Sequence, residues 1–214
     1  MKFFHVMYIA KGISTTLFFA AISLIFGLIL GTALALCLAG PNKFLEKIAG
    51  AYVSILRGTP MLLQLSLVYF ALPTLLGIKI SAVIAGVVTF SLNSASYIGE
   101  ILKGGIKGVP VGQFLVCATL KIPYFHMMKD IVLPQALKSV FPALVNEATT
   151  LIKETALISI IGKADIMRRA NIVSAETFNY FMPLLVAAAC YYLIIFVVEM
   201  IAKSFEKGFG YDKN

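Results

Sequence analysis

No stretch of this sequence reads GxxxxGK[ST], so it has no loop to cradle nucleotide phosphates, and no GxSxG supplies a strained serine nucleophile. Its two histidines, His5 and His126, fall at opposite ends of the expected helical layout and cannot share a site. The three cysteines, Cys37, Cys117 and Cys190, have no metal-ligand spacing and lie in or near apolar runs, where a thiol ordinarily serves as a small buried hydrophobe. An enzyme reading therefore lacks residues to carry it. If the chain performs uphill work with ATP, a separate chain must supply the ATPase. Linkers, low-complexity tracts and evident internal repeats are also missing, which leads us to expect one domain over residues 1–214.

Charge is scarce as well. Only 13% of the residues are Asp, Glu, Lys or Arg and 60% are hydrophobic, more apolar surface than a soluble core of this size can bury. The excess must meet lipid, in which a spanning helix needs about 20 largely apolar residues. Residues 12–39, 61–78, 80–102 and 181–202 qualify, and a fifth segment, 140–162, is interrupted by Pro142 and carries Glu147, Lys153 and Glu154. The expected fold is an all-α membrane protein with five transmembrane helices. The first apolar run is too long for a signal-peptide core, and Leu36 spoils a faint lipoprotein-like site ending at Cys37.

The one long polar stretch, 103–138, is basic and punctuated by Pro110, Pro123 and Pro134, with an apolar-rich insert at 113–122. A short surface helix in such a loop suits the receipt of mechanical work from a cytoplasmic partner. With five spans this loop shares a side with the C-terminus. That side gathers Lys43, Lys47, Arg57, Lys103, Lys107, Lys121, Lys129, Lys138, Lys203, Lys207 and Lys213, against Lys2, Lys11, Lys79, Lys163, Arg168 and Arg169 opposite. The positive-inside bias makes the loop cytoplasmic and the N-terminus external. The net charge of +8 then answers to topology and anionic lipid, with no need for nucleic acid.

Polar groups inside spans are costly in lipid and mark function. Glu147 and Glu154 lie about two helical turns apart, near one helix face and roughly 10.5 Å apart along the axis, which suits two contacts on an elongated ligand. The competing reading pairs them with Lys153 or Arg57 as structural ions. Arg57, Gly58, Thr59 and Pro60 break the entry to the second span, and Gln64 follows one turn later. An interfacial anchor and a helix-starting proline would account for Arg57 and Pro60; Gln64 is harder to explain that way. In the third span, Ser91, Asn93, Ser94, Ser96 and Tyr97 suit either helix packing or a wet pathway. Glu100 and Glu199 sit near span ends, where their carboxylates can reach the interface.

Taken in order, these segments resemble the permease subunit of bacterial polar amino-acid ABC importers of the histidine, glutamine and arginine type. The resemblance covers nearly the whole chain: Gly12, Thr16 and Leu17; YVSILRGTPMLLQLSLVYF at 52–70; SASYIGEILKGGI at 94–106; Gly112 and Gln113; LPQAL at 133–137; Pro142 and Asn146; KETALISIIG at 153–162. It implies the type I importer fold in the bacterial inner membrane. Two permease subunits, identical or merely similar, would line a path, each laying a coupling helix on a cytoplasmic ATPase subunit. An extracytoplasmic binding protein would deliver the amino acid. ATP and magnesium would belong to the ATPase, leaving this chain without a cofactor.

The resemblance assigns ATPase coupling to Gly112, Gln113, Phe114, Leu115, Val116, Cys117, Leu120 and Lys121. Here the sequence departs from the family pattern. Leu115, Val116 and Cys117 stand where Glu-Ala-Ala is usual, and Lys121 replaces a glycine, whose freedom at positive φ lysine lacks. Docking would then rest on Phe114, Leu115 and Val116. In relatives that carry cationic amino acids, acidic residues at the positions of Glu147 and Glu154 line the site. The expected substrate is accordingly a basic amino acid, arginine first and glutamine or another polar amino acid second, with Arg57, Gln64, Asn93 and Ser94 contacting the rest of the molecule. A gradient-driven carrier would also tolerate intramembrane carboxylates, but leaves the basic loop without a role.

Overall fold

The computed structural model describes residues 2–208, with side chains to residue 205; Lys213, counted above among the charges on the C-terminal side, lies outside them. Helix α1 (Phe3–Ala10) runs almost directly into α2 (Gly12–Ala39). A turn at Gly40 and Pro41 leads to α3 (Lys43–Gly58), whose first N–H groups at Phe44 and Leu45 are capped by the Asn42 side chain. After Pro60 come α4 (Met61–Ser66), a π turn (Leu67–Ala71) and α5 (Leu72–Leu76). Helix α6 (Ala82–Gly108) begins at the Ser81 cap, and Pro110 separates it from α7 (Val111–Thr119). A single turn, α8 (Tyr124–His126), and a second π turn (Met127–Val132) lead into α9 (Leu133–Glu154), continued by a tighter 3-10 segment (Thr155–Ile161). Helices α10 (Ile166–Thr177) and α11 (Phe181–Gly208) complete the described chain.

Both π turns stop at a Leu-Pro step, Leu72-Pro73 and Leu133-Pro134. A proline inside a helix supplies no N–H and its ring collides with the carbonyl four residues back, so the ladder widens just ahead of it. The second span expected at 61–78 is therefore a helix with a π segment inside it, ending at Leu76. It meets α3 at 99°, and the two pass as one span only as a bent pair.

Among the described residues, three helices are long and apolar enough to cross a membrane alone: Phe3–Ala39, Ala82–Gly108 and Phe181–Phe205. Inside the first and last, 28% and 17% of the apolar window is buried, against 61% in α6, which makes α6 the hub of the bundle. The remaining expected span, α9 with its 3-10 extension, is long enough but carries Gln135, Lys138, Asn146, Glu147, Lys153 and Glu154 along its length.

Helix α2 packs on α6 through small residues. Gly27 lies on Ser94, and a Cβ at Gly31 would stand 2.7 Å from Ile98 and 3.0 Å from the Ala95 carbonyl. One apolar cluster joins Phe19, Leu65, Phe90, Leu151 and Ile158; a second joins Ala35, Ile98, Leu102, Val109, Met128 and Val132. A third, Ile9, Ile166, Val173 and Cys190, ties α1, α10 and α11 together. The start of α10 is fixed by buried Asp165, which accepts the N–H groups of Met167 and Arg168 and the Tyr191 hydroxyl. Burial holds its carboxyl above the ordinary value, against the pull of those donors.

Candidate functional site

One stretch of α6, from Asn93 to Tyr97, faces three other elements. Ser94 donates its hydroxyl proton to Glu147 of α9 at 2.8 Å, and the Glu147 side chain is buried, with only 7% of the residue exposed. Asn93 donates to the Gln64 side-chain oxygen at 3.0 Å and to the Leu56 carbonyl at 3.4 Å. The Tyr97 ring carries the Arg57 guanidinium 5.0 Å from its centroid, a cation–π contact. Tyr52 adds a fourth tie, its hydroxyl donating to the Leu92 carbonyl at 2.7 Å.

Arg57, Gln64, Asn93, Ser94 and Glu147 are thus gathered around one level of α6. The charge count grouped Arg57 with Lys43 and Lys47; in the fold its exposed guanidinium lies against Tyr97 of α6. Helix α3 ends at Gly58, where the chain bends, and Arg57 stacks on Tyr97 within α6. Its charge reaches Glu147. Glu154, half-buried at the last residue of α9, lies within electrostatic range of Glu147 and next to exposed Lys153. Among the described residues, no ion pair joins either carboxylate to Lys153 or Arg57, as the structural-ion reading required. Glu147 is thus a buried carboxylate that accepts the Ser94 hydroxyl. Ser96 turns back on its own helix, donating to the Asn93 carbonyl, and so takes the packing role.

The segment after Pro110 forms the short helix expected of it, α7, at Val111–Thr119 in place of 113–122. Helix α6 continues to Gly108, so Lys103 and Lys107 end that helix and do not begin the loop. Gly112, Gln113, Leu115, Val116 and Leu120 are exposed, with Val111 and Leu120 at 71% and 66% completing an outward apolar strip. Phe114, expected on the docking face, instead packs inward on the cluster of Val109, Met128 and Val132, and Cys117 is buried. The outward apolar side chains are therefore Val111, Leu115, Val116 and Leu120.

Lys121 closes this helix at φ +54, with its own N–H donated to the Ala118 carbonyl and that of Ile122 to the Cys117 carbonyl. This paired bond pattern is the Schellman ending, whose left-handed residue is usually glycine. Lysine in that conformation costs about 1 kcal/mol. Lys121→Gly is expected to raise the melting temperature of the purified protein by a few degrees; an unchanged or lower value would mean the lysine makes a compensating contact.

A helical bundle with a broken span, a buried polar level and a short helix carried outside the bundle defines a membrane permease subunit. Residues 23–211 match the family of binding-protein-dependent transport system inner membrane components, and the chain belongs to that family. Its hydrolytic work is done by a partner subunit. The putative glutamine transport system permease protein GlnP of Rickettsia felis is 49% identical over 208 residues, 97% of this chain and 95% of that protein. The arginine transport system permease protein ArtQ of Bacillus subtilis is 45% identical over 203 residues, 95% and 93% of the two chains. Among solved structures, a chain of an amino acid ABC transporter crystallised with histidines superposes with a TM-score of 0.85 at 33% identity, covering 94% of this chain and 93% of that one. The inward-facing methionine transporter MetNI superposes equally well at 17% identity, covering 98% and 99%, and speaks for the fold alone. The type I importer permease fold expected from the sequence is the fold found.

Proposed function

We propose that this permease forms the path of an ATP-driven importer for polar amino acids, arginine first and glutamine second. The observation that carries the preference is Glu147, a buried carboxylate held by Ser94 with no ion-pair partner among the described residues. A guanidinium or ammonium side chain entering this level neutralises it; an uncharged side chain does not. Glu154 extends the acidic line along α9, and Arg57 offers the opposite charge for the α-carboxylate that every amino acid carries. Gln64, Asn93 and Ser94 border the same level. The relatives named for glutamine and for arginine are consistent with both members of this ranking.

In this reading residues 1–214 form one transmembrane domain, paired with a second copy or a similar permease. Helix α7 sits on the cytoplasmic side, where the cations are in excess, and the N-terminus is external. The outward strip of Val111, Leu115, Val116 and Leu120 docks in a groove of the ATPase, which alone binds ATP and magnesium. A binding protein delivers substrate from outside. Closure of the ATPase pair moves α7 and shifts the path between two packed states.

The test is uptake of radiolabelled arginine by proteoliposomes holding this chain, its ATPase and its binding protein, with unlabelled arginine, glutamine and histidine as competitors. ATP-dependent uptake competed best by arginine is expected. Uptake driven by an ion gradient without ATP would replace the importer with a secondary carrier, and stronger competition by glutamine would reverse the ranking.

A further inference from the structure

The break between α3 and α4 leaves a specific backbone problem. In an unbroken helix the Leu56 carbonyl would accept the N–H of residue 60, but Pro60 has none. A carbonyl stranded inside a bundle that faces lipid must be satisfied from within the protein. Gln64 does this, its Nε2 donating to the Leu56 carbonyl at 2.8 Å and lying 3.1 Å from the Thr59 carbonyl. The same nitrogen is 2.8 Å from the Thr59 hydroxyl, which in turn donates to the Ile55 carbonyl at 2.9 Å. Asn93 closes the arrangement from α6, its Nδ2 shared between Leu56 and the Gln64 Oε1.

We propose that Gln64 and Asn93 are positioning residues whose carboxamides cap the carbonyls left by Pro60 and lock the α3–α4 elbow onto α6, setting Arg57 across from Glu147. This rests on the importer reading above and gives two residues bordering the path a defined task. Both donor groups and the Gln64 acceptor are already engaged, so a transported molecule that took either amide would remove one of the two donors to the Leu56 carbonyl. Arg57 sits one residue beyond Leu56, and Ser94, which holds Glu147, is the next residue after Asn93. One pair of amides therefore fixes the relative placement of the path's cation and its carboxylate, whichever amino acid passes.

The decisive variant is Gln64→Glu in the complete importer. Glutamate cannot donate to the Leu56 and Thr59 carbonyls, so uptake of arginine and of glutamine is expected to fall together by at least about tenfold, with their ratio unchanged. A substrate-contacting Gln64 gives the opposite result, because a carboxylate there favours arginine; a ratio shifted threefold or more in arginine's favour would overturn the proposal. Should this variant fail to assemble, Asn93→Ser carries the same ratio test. Thermal melting of the purified protein decides the clamp without transport. Gln64→Leu and Asn93→Ala are each expected to lower the melting temperature, the double variant no further than the worse single one, and Pro60→Ala to lessen the effect of Gln64→Leu by restoring the missing N–H. Additive shifts with no effect of Pro60→Ala would overturn it. If the wild-type importer moves no amino acid, the importer reading fails while the melting cycle still judges the clamp.

Discussion

Glutamine in place of Glu147 is expected to cut initial rates of arginine uptake by at least about tenfold, while glutamine uptake stays within about threefold of wild type. The magnitude follows from the burial. Removing one partner of a desolvated, hydrogen-bonded charge pair costs about 2 kcal/mol or more, and each 1.4 kcal/mol is a factor of about ten. The substitution keeps the shape, and the Ser94 hydroxyl, 2.8 Å from the carboxylate, can donate equally well to an amide oxygen. Only the charge is lost, so a neutral substrate has little to lose with it.

Glu154→Gln is expected to act in the same direction but less strongly, because Glu154 is half-exposed where Glu147 is buried. The comparison separates a charge needed at one level of the path from a diffuse acidic surface, whose two members would matter equally. Full arginine uptake by both variants, in complexes that assemble normally, would sink the assignment of a cationic substrate.

Apolar run length made α2, α6 and α11 readable from the sequence, because lipid demands continuous hydrophobicity there. It could not show α3, whose Lys43, Glu46, Lys47 and Arg57 interrupt the apolar pattern, or α10, which is short and begins at a capping aspartate. The polar residues of the candidate site stood out individually as intramembrane groups. Their pairing did not, since Asn93 meets Gln64 across 29 positions and Ser94 meets Glu147 across 53, contacts set by how each helix is rotated in the bundle. The stacking of Arg57 on Tyr97 was hidden for a related reason: the two are 40 positions apart, and the neighbours of Arg57 in sequence gave no sign of the contact. Which face of α7 turns outward was ambiguous because both of its faces are apolar; burial of Phe114 and Cys117 shows the inward one.

Gly12→Ala is expected to destabilise the protein by about 3 kcal/mol or more and to deplete assembled importer, although it adds a single methyl group. A Cβ at Gly12 would lie 2.7 Å from the Asp165 carbonyl oxygen and closer still to the Asp165 carbonyl carbon and the Ile166 nitrogen. All three are backbone atoms, so no rotamer change relieves the overlap. They also belong to the cap of α10, where the Asp165 carboxylate takes the Met167 and Arg168 N–H groups and the Tyr191 hydroxyl from α11. Pushing that backbone away loosens the contact of α2 with α10 and, through Tyr191, the seat of α11. Gly104→Ala is the matched control: Gly104 lies within α6 with nothing inside 4 Å of an added Cβ, and exchange there should be neutral or stabilising by up to about 1 kcal/mol through helix propensity. Melting of both variants in detergent reads the difference directly. Equal melting temperatures would mean that α10 can retreat from α2 at no cost, and that the close approach at Gly12 does not hold the two helices in place.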